Sequence, residues 1–358
     1  MGKKLKQSLK TALFFSVFYS GILHLFIYIL KKFKRHHCAA ILFYHRFSRV
    51  SPERYQLPHL DINEFKKQME HIKKCYTVLT MDDLAGKLAN AKRFASPSVA
   101  VTIDDGYLSS YRIAYPILKE LSLPATIYLT TGFVGTKKAP WVDVLMDTLF
   151  RTKVKTLYLP ELLGKEVVDL STSHQKTVVF SRLFKILLNL HHEKKITAMN
   201  RLVKILLADK TSSDNTGRKM VNWKEVIEMS ENNIYFGAHT VTHPTLSKME
   251  PPEAKREIND SQKEIEKRLG NKVTHFAIPN GKNEDFSDGL KKYCKDTGIK
   301  TVVSTEPGVV FPHSDPYFLK RIIPPPPVYV FACELARHMF LRDKRQSSET
   351  INDKASHE

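Results

Sequence analysis

The stretch Ser98-Val99-Ala100-Val101-Thr102-Ile103-Asp104-Asp105-Gly106 decides how the chain reads. Its first six residues, rich in β-branched side chains, have the length of a buried strand, and the run stops at two carboxylates and a glycine. Asp104 and Asp105 therefore stand at the C-terminal edge of a strand, where α/β folds keep their ligands and their chemistry. Adjacent residues at such an edge cannot point the same way, so one carboxylate can face a metal ion while its neighbour faces the attacking water. Taken alone, Asp-Asp-Gly is equally a common turn with two solvated acids.

A second stretch, far along the chain, removes that ambiguity. Ile234-Tyr235-Phe236-Gly237 reads as another strand terminus, and Ala238-His239-Thr240-Val241-Thr242-His243 follows it. His239 and His243 are four residues apart, a spacing that brings both imidazoles to one side of a helical turn or tight loop. Among 15 histidines such a pair also arises by chance. Two histidines and one carboxylate with open positions make a catalytic metal arrangement suited to zinc, with cobalt, nickel or iron as alternatives.

Around these stretches strand and helix alternate. A strand at Ala40–His45 precedes a helix near Asn63–Lys74 with Asp61 as its cap. Later strands lie at Ala125–Leu129, at Phe276 and at Lys300–Ser304, with a helix ending at Leu269 before Gly270. This periodicity predicts an α/β domain with a mainly parallel sheet, either a barrel or a doubly wound open sheet.

At these residues the chain resembles the polysaccharide deacetylase family, also called the NodB-homology or carbohydrate esterase family 4 group. The family motif T-F-D-D-G stands here as Thr102-Ile103-Asp104-Asp105-Gly106, and H-[ST]-x-x-H as His239-Thr240-Val241-Thr242-His243. The resemblance implies a distorted or incomplete (β/α) barrel over roughly 40–330. It makes Asp104 the general base and Asp105, His239 and His243 the metal ligands, with Thr240 bracing the histidine loop. Tyr44-His45-Arg46, Phe276-Ala277-Ile278-Pro279-Asn280-Gly281, Trp141-Val142-Asp143-Val144-Leu145 and Leu319-Lys320-Arg321-Ile322 resemble the membrane-anchored branch. The implied reaction is metal-dependent removal of an N-acetyl group from an amino sugar, in a polysaccharide or on a lipid-linked carrier. An inactive carbohydrate-binding member of the fold is the alternative from another class. Two departures stand out: the family's arginine near Ala277 and its late Leu-x-His acid are both missing. His45, as acid or substrate contact, His313, or a proton returned through Asp104 could fill the acid's place.

With 358 residues, 42% of them hydrophobic, the chain can bury a substantial core. Cys38, Cys75, Cys294 and Cys333 form no paired pattern such as C-x-x-C, so the sequence supports neither a disulfide framework nor a cysteine metal site. The net charge of +19 raises nucleic acid as a partner, yet no helix-turn-helix, zinc-finger or RNA-binding signature accompanies it. An anionic membrane surface is the expected partner instead. Residues 11–30 hold no carboxylate, lysine or arginine and have the length of a bilayer span, flanked by Lys3, Lys4, Lys6 and Lys10 before and Lys31, Lys32, Lys34 and Arg35 after. Balanced flanks leave the orientation open. The expected organisation is a membrane anchor over 1–38 and a catalytic domain over 39–342, placed on the external or periplasmic face. A basic helical insertion occupies about 145–220, where Phe180, Leu183, Phe184, Leu187 and Leu188 recur at helical spacing, and a disordered polar tail covers 343–358.

Overall fold

The computed structural model describes residues 2–32, 38–49, 59–94, 96–207 and 219–340. The expected tail at 343–358, and the loop expected near 211–215, lie outside the described residues.

The chain opens with helices α1 (Gly2–Tyr19) and α2 (Ile22–Lys32). Then come β1 (Ala39–Tyr44), the short β2 (Phe47–Ser48) and β3 (Leu60–Asp61), and α3 (Ile62–Cys75). Asp61 caps α3 as expected, its carboxylate accepting from the backbone N–H groups of Asn63 and Glu64. β4 (Thr77–Leu79), α4 (Met81–Ala89), β5 (Ser98–Ile103), α5 (Tyr115–Leu121) and β6 (Ala125–Leu129) continue the alternation.

The insertion follows: α6 (Trp141–Arg151), a hairpin of β7 (Thr156–Tyr158) and β8 (Val167–Asp169) around α7 (Pro160–Leu163), then α8 (Ser173–Asn189) and α9 (His192–Leu206). The chain returns to the barrel through α10 (Trp223–Ser230), β9 (Ile234–Ala238), α11 (Pro251–Leu269), β10 (His275–Ala277), α12 (Asp288–Asp296), β11 (Thr301–Pro307), β12 (Leu319–Arg321) and α13 (Val328–Phe340).

Seven parallel strands run in the order β1-β5-β6-β9-β10-β11-β12. Ile322, just past β12, exchanges backbone hydrogen bonds with Ile41 and Phe43 of β1, so the sheet meets itself in a nearly closed barrel. The barrel is uneven for a visible reason: β4 occupies the start of β5's flank at Ser98–Ala100, leaving β6 only Thr102 and Ile103 to pair. β9 and β10 share a single register pair, Ala238 with Phe276. β1 and β5 are buried along their whole length, as strands between a filled barrel and its helices must be.

The insertion has its own core, in which Leu145, Leu149, Leu157, Leu183, Leu187 and Leu202 are buried together. The apolar stripe of α8 is spent there, not on a lipid surface. The N-terminal region also departs from expectation. No single helix among the described residues is long and apolar enough to cross a membrane; the apolar run is two helices meeting at 67°. Gly21, with φ of +79°, makes the break. One face of the pair is packed on the barrel: Leu23 and Ile27 are buried, Lys10 pairs with Glu334 of α13 at 2.6 Å, and the Phe15 ring meets Tyr329 edge-on.

Candidate active site

A cleft of about 370 Å³ opens where the barrel strands end. Asp104 and Asp105 line it from the end of β5, His239 from the end of β9, and His243 from the loop beyond. The two aspartates diverge because Asp105 takes a left-handed backbone, φ +73°, followed by Gly106 at +79°. A side chain at Gly106 would run into Leu129, its Cβ only 2.7 Å from the Leu129 Cδ2 atom. The strained turn therefore depends on that glycine.

Asp105, His239 and His243 converge. The Nε2 atoms of both histidines lie 3.3 Å from the same Asp105 oxygen, Oδ1. That oxygen is buried yet accepts no hydrogen bond, and His243 Nδ1 is likewise buried without a partner. Three ligands about 2.1 Å from a shared tetrahedral centre would be about 3.4 Å apart, so the spacing suits a metal ion better than direct hydrogen bonding. The carbonyl of Ala277 accepts the Nδ1 proton of His239 at 2.7 Å, which turns the bare Nε2 lone pair toward that centre. Burial lowers the pKa of His243 to about 4, leaving its imidazole neutral as a ligand must be. The donor set fits a divalent metal.

The loop that carries the pair is braced twice. Thr240, itself at φ +65°, accepts the His243 backbone N–H on its hydroxyl at 3.0 Å. Glu257, from α11, accepts from the backbone N–H groups of Val241 and Thr242 at 2.7 and 2.9 Å and from the Thr242 hydroxyl at 2.7 Å. Thr240 was readable in the sequence; Glu257, on a helix sixteen residues away, was not.

Asp104 has a different partner. Arg321, the last residue of β12, donates from Nη1 and Nη2 to the two carboxylate oxygens at 2.8 and 2.7 Å. Two further donors go to the Ser304 carbonyl and the Thr102 hydroxyl, and its guanidinium lies 4.1 Å from the centre of the Phe43 ring. Burial raises the Asp104 pKa, but Arg321 overrides it and the net shift is downward. The arginine missing near Ala277 thus has a counterpart in the site that arrives from β12.

His45 lines the same cleft, edge-on to Phe43 at 4.7 Å. Burial lowers its pKa, against the pull of Asp105 and Asp104, so its resting form is neutral. His313 is exposed in its loop and does not line the cleft. Behind the cleft-lining Arg46 and Tyr107, Asp143 of α6 accepts from Arg46 at 2.7 Å and from the Tyr107 hydroxyl at 2.7 Å. This triad joins the insertion to the barrel rim, while Phe184 of α8 and Val142 of α6 supply apolar wall. Trp141 stacks on Phe184 at 5.4 Å, within the insertion.

The polysaccharide deacetylase family profile matches residues 91–302, more than half of the chain. A Bacillus subtilis (strain 168) protein, YxkH, whose name assigns it provisionally to polysaccharide deacetylation, is 21% identical over 283 residues, covering 79% of this chain and 70% of that one. Among solved structures, the Streptococcus pyogenes deacetylase PplD, determined with acetate, is similar at a TM-score of 0.55 and 20% identity, over 85% of this chain and 99% of that one. IcaB from Ammonifex degensii is similar at a TM-score of 0.54 and 18% identity, over 84% and 97%. These two likenesses establish the fold.

Proposed function

Since the chain belongs to the polysaccharide deacetylase family, hydrolases of N-acetyl amide bonds, we propose that this cleft removes the acetyl group from an N-acetylated amino sugar with the help of a divalent metal, zinc foremost. The observation that carries the reading is the shared Asp105 oxygen facing two imidazole Nε2 atoms, with the Asp104 carboxylate beside them. Asp105, His239 and His243 would hold the ion, whose charge polarises the acetamide carbonyl and makes water a better acid. That help is needed. A carboxylate that Arg321 grips at both oxygens is a weak base, and it takes a proton from water only if the water has been made more acidic.

Asp104 takes the proton as the water oxygen bonds to the carbonyl carbon. The Tyr107 backbone N–H, which neither of the neighbouring Leu108–Lys219 and Val221–Gly106 bonds uses, would stabilise the resulting oxyanion. The C–N bond then breaks, the amine takes a proton, and acetate and a free amine leave. Neutral His45 can pass the proton on from Asp104 or hold the sugar; it does not begin with a proton to spare.

The membrane reading rests on the exposed side of the α1–α2 pair. Leu5, Leu9, Leu13, Ile22 and Leu25 are each about three-fifths exposed, with Lys6, Lys31 and Lys32 at the ends. An apolar stripe with cationic flanks suits a helix pair lying in an anionic bilayer interface. A lipid-linked N-acyl sugar therefore stands beside polysaccharide as the substrate. Acetate release with and without chelator, on soluble N-acetylglucosamine oligomers and on a polyprenyl-phosphate-linked monosaccharide, tests both points. Chelator-insensitive turnover refutes the metal reading, and activity confined to soluble oligomers refutes the lipid-linked one.

A further inference from the structure

A second cluster of metal-binding side chains lies away from the cleft, in the seam between the N-terminal helices and the barrel. His71 and Cys75 are four residues apart on α3, hence on one face, and both are 4% exposed. His24 of α2 meets them from across the seam, its ring centre 5.4 Å from that of His71. One potential ligand atom from each residue lies within 4.8 Å of the others. We propose that His24, His71 and Cys75 form a second metal site, taking one zinc-like divalent ion and fastening α2 to α3.

Two observations carry this. The Cys75 sulfur is 3.7 Å from His71 Nδ1. A thiolate about 2.3 Å and an imidazole about 2.1 Å from one tetrahedral ion would sit about 3.6 Å apart, so this pair needs almost no movement. Second, His24 completes the group from a separate helix, so one ion held by all three side chains would tie α2 to α3. Binding transfers the thiol proton to solvent and leaves the fourth position for water. The site does not depend on the catalytic reading, because no residue is shared.

Cobalt separates the two sites. Asp105, His239 and His243 contain no sulfur, so a thiolate-to-cobalt charge-transfer band in the near ultraviolet can come only from a cysteine. Among the described residues, Cys75 is the one cysteine in a metal-binding group. Titrating the metal-stripped full chain with Co²⁺ should give two ions per chain and that band. An H239A/H243A variant should keep the band; C75S should abolish it; H24Q should weaken the sulfur-bearing site by tenfold or more. Deacetylation of soluble oligomers should persist in H24Q. One ion per chain without the band overturns the proposal, as does a band that survives in C75S. If C75S fails to fold, H24Q decides on its own: His24 is only partly buried, and unchanged cobalt affinity there also overturns the proposal.

Discussion

Replacing Arg321 with methionine should disable the protein twice over. Arg321 and Asp104 are fully buried as a two-pronged ion pair, their side chains 0% and 2% exposed. With charge centres about 4 Å apart and an effective dielectric of about 20, the attraction is about 4 kcal/mol. Breaking one side of such a pair typically costs about 3–5 kcal/mol, because the surviving charge is left uncompensated. In R321M the strongest opposition to burial is gone, so the Asp104 pKa should move upward despite His239 and His45. Turnover near neutral pH should fall by about 10²–10⁴-fold, the usual contribution of a general base, and the acid limb of the pH–rate profile should move to higher pH. R321M/D104N removes both charges, so it should regain most of the stability lost in R321M and none of the activity. Denaturant unfolding of the four proteins in the cycle, with pH–rate profiles of wild type and R321M, provides the measurement. Wild-type stability in R321M, or an unshifted acid limb, would refute the assignment of Arg321 as the group that holds Asp104 ionised.

Other substitutions separate the remaining parts. D104N should keep bound metal by elemental analysis while losing turnover about 10²–10⁴-fold, whereas H239A and H243A should lose the catalytic metal. E257A frees the backbone of Val241 and Thr242 and should weaken that metal's affinity by about 10–100-fold in a chelator competition, with the helix content unchanged. Lys195 gives a pH test of the insertion. It is buried with its Nζ 3.2 Å from the Thr245 hydroxyl, and burial lowers its pKa from the usual 10.5 to about 8. Between those values the unfolded chain binds the extra proton, so stability should rise as pH climbs from about 8 to about 10.5. K195M should remove that rise in denaturant titrations.

The gathering of Asp104, Asp105, His239 and His243 at one cleft was largely legible because its signal is local. Asp104 and Asp105 follow a six-residue strand run, and His239 and His243 fall within five residues of each other, so motif and element coincide. The parts that were not legible are those that act across the fold. Arg321 reaches Asp104 from 217 positions away, and nothing in Leu319-Lys320-Arg321 distinguishes a base-bracing arginine from any strand residue. Arg46, Tyr107 and Asp143 each lay in a noticed segment, but their union depends on where α6 docks against the rim. Glu257 looked like one more acid on a polar helix.

The N-terminal helices show a different limit. Hydropathy counts apolar residues and is blind to which neighbour they meet, so one run of sequence can describe a bilayer span or a half-buried pair. Here the run divides by face: Leu23 and Ile27 are buried, with Phe14, Val17, Phe18 and Phe26 packed against the same core, while Leu9, Leu13, Ile22 and Leu25 point outward. Straightening the pair across a membrane would uncover the outer surfaces of α3 and α13, including His71, Cys75, Phe331 and Cys333, and would break the Lys10–Glu334 pair. An in-plane arrangement keeps those contacts and still gives the outward leucines a partner. In the proposed membrane contact, an in-plane pair would satisfy both faces at once, whereas a span would satisfy the lipid face by exposing the other.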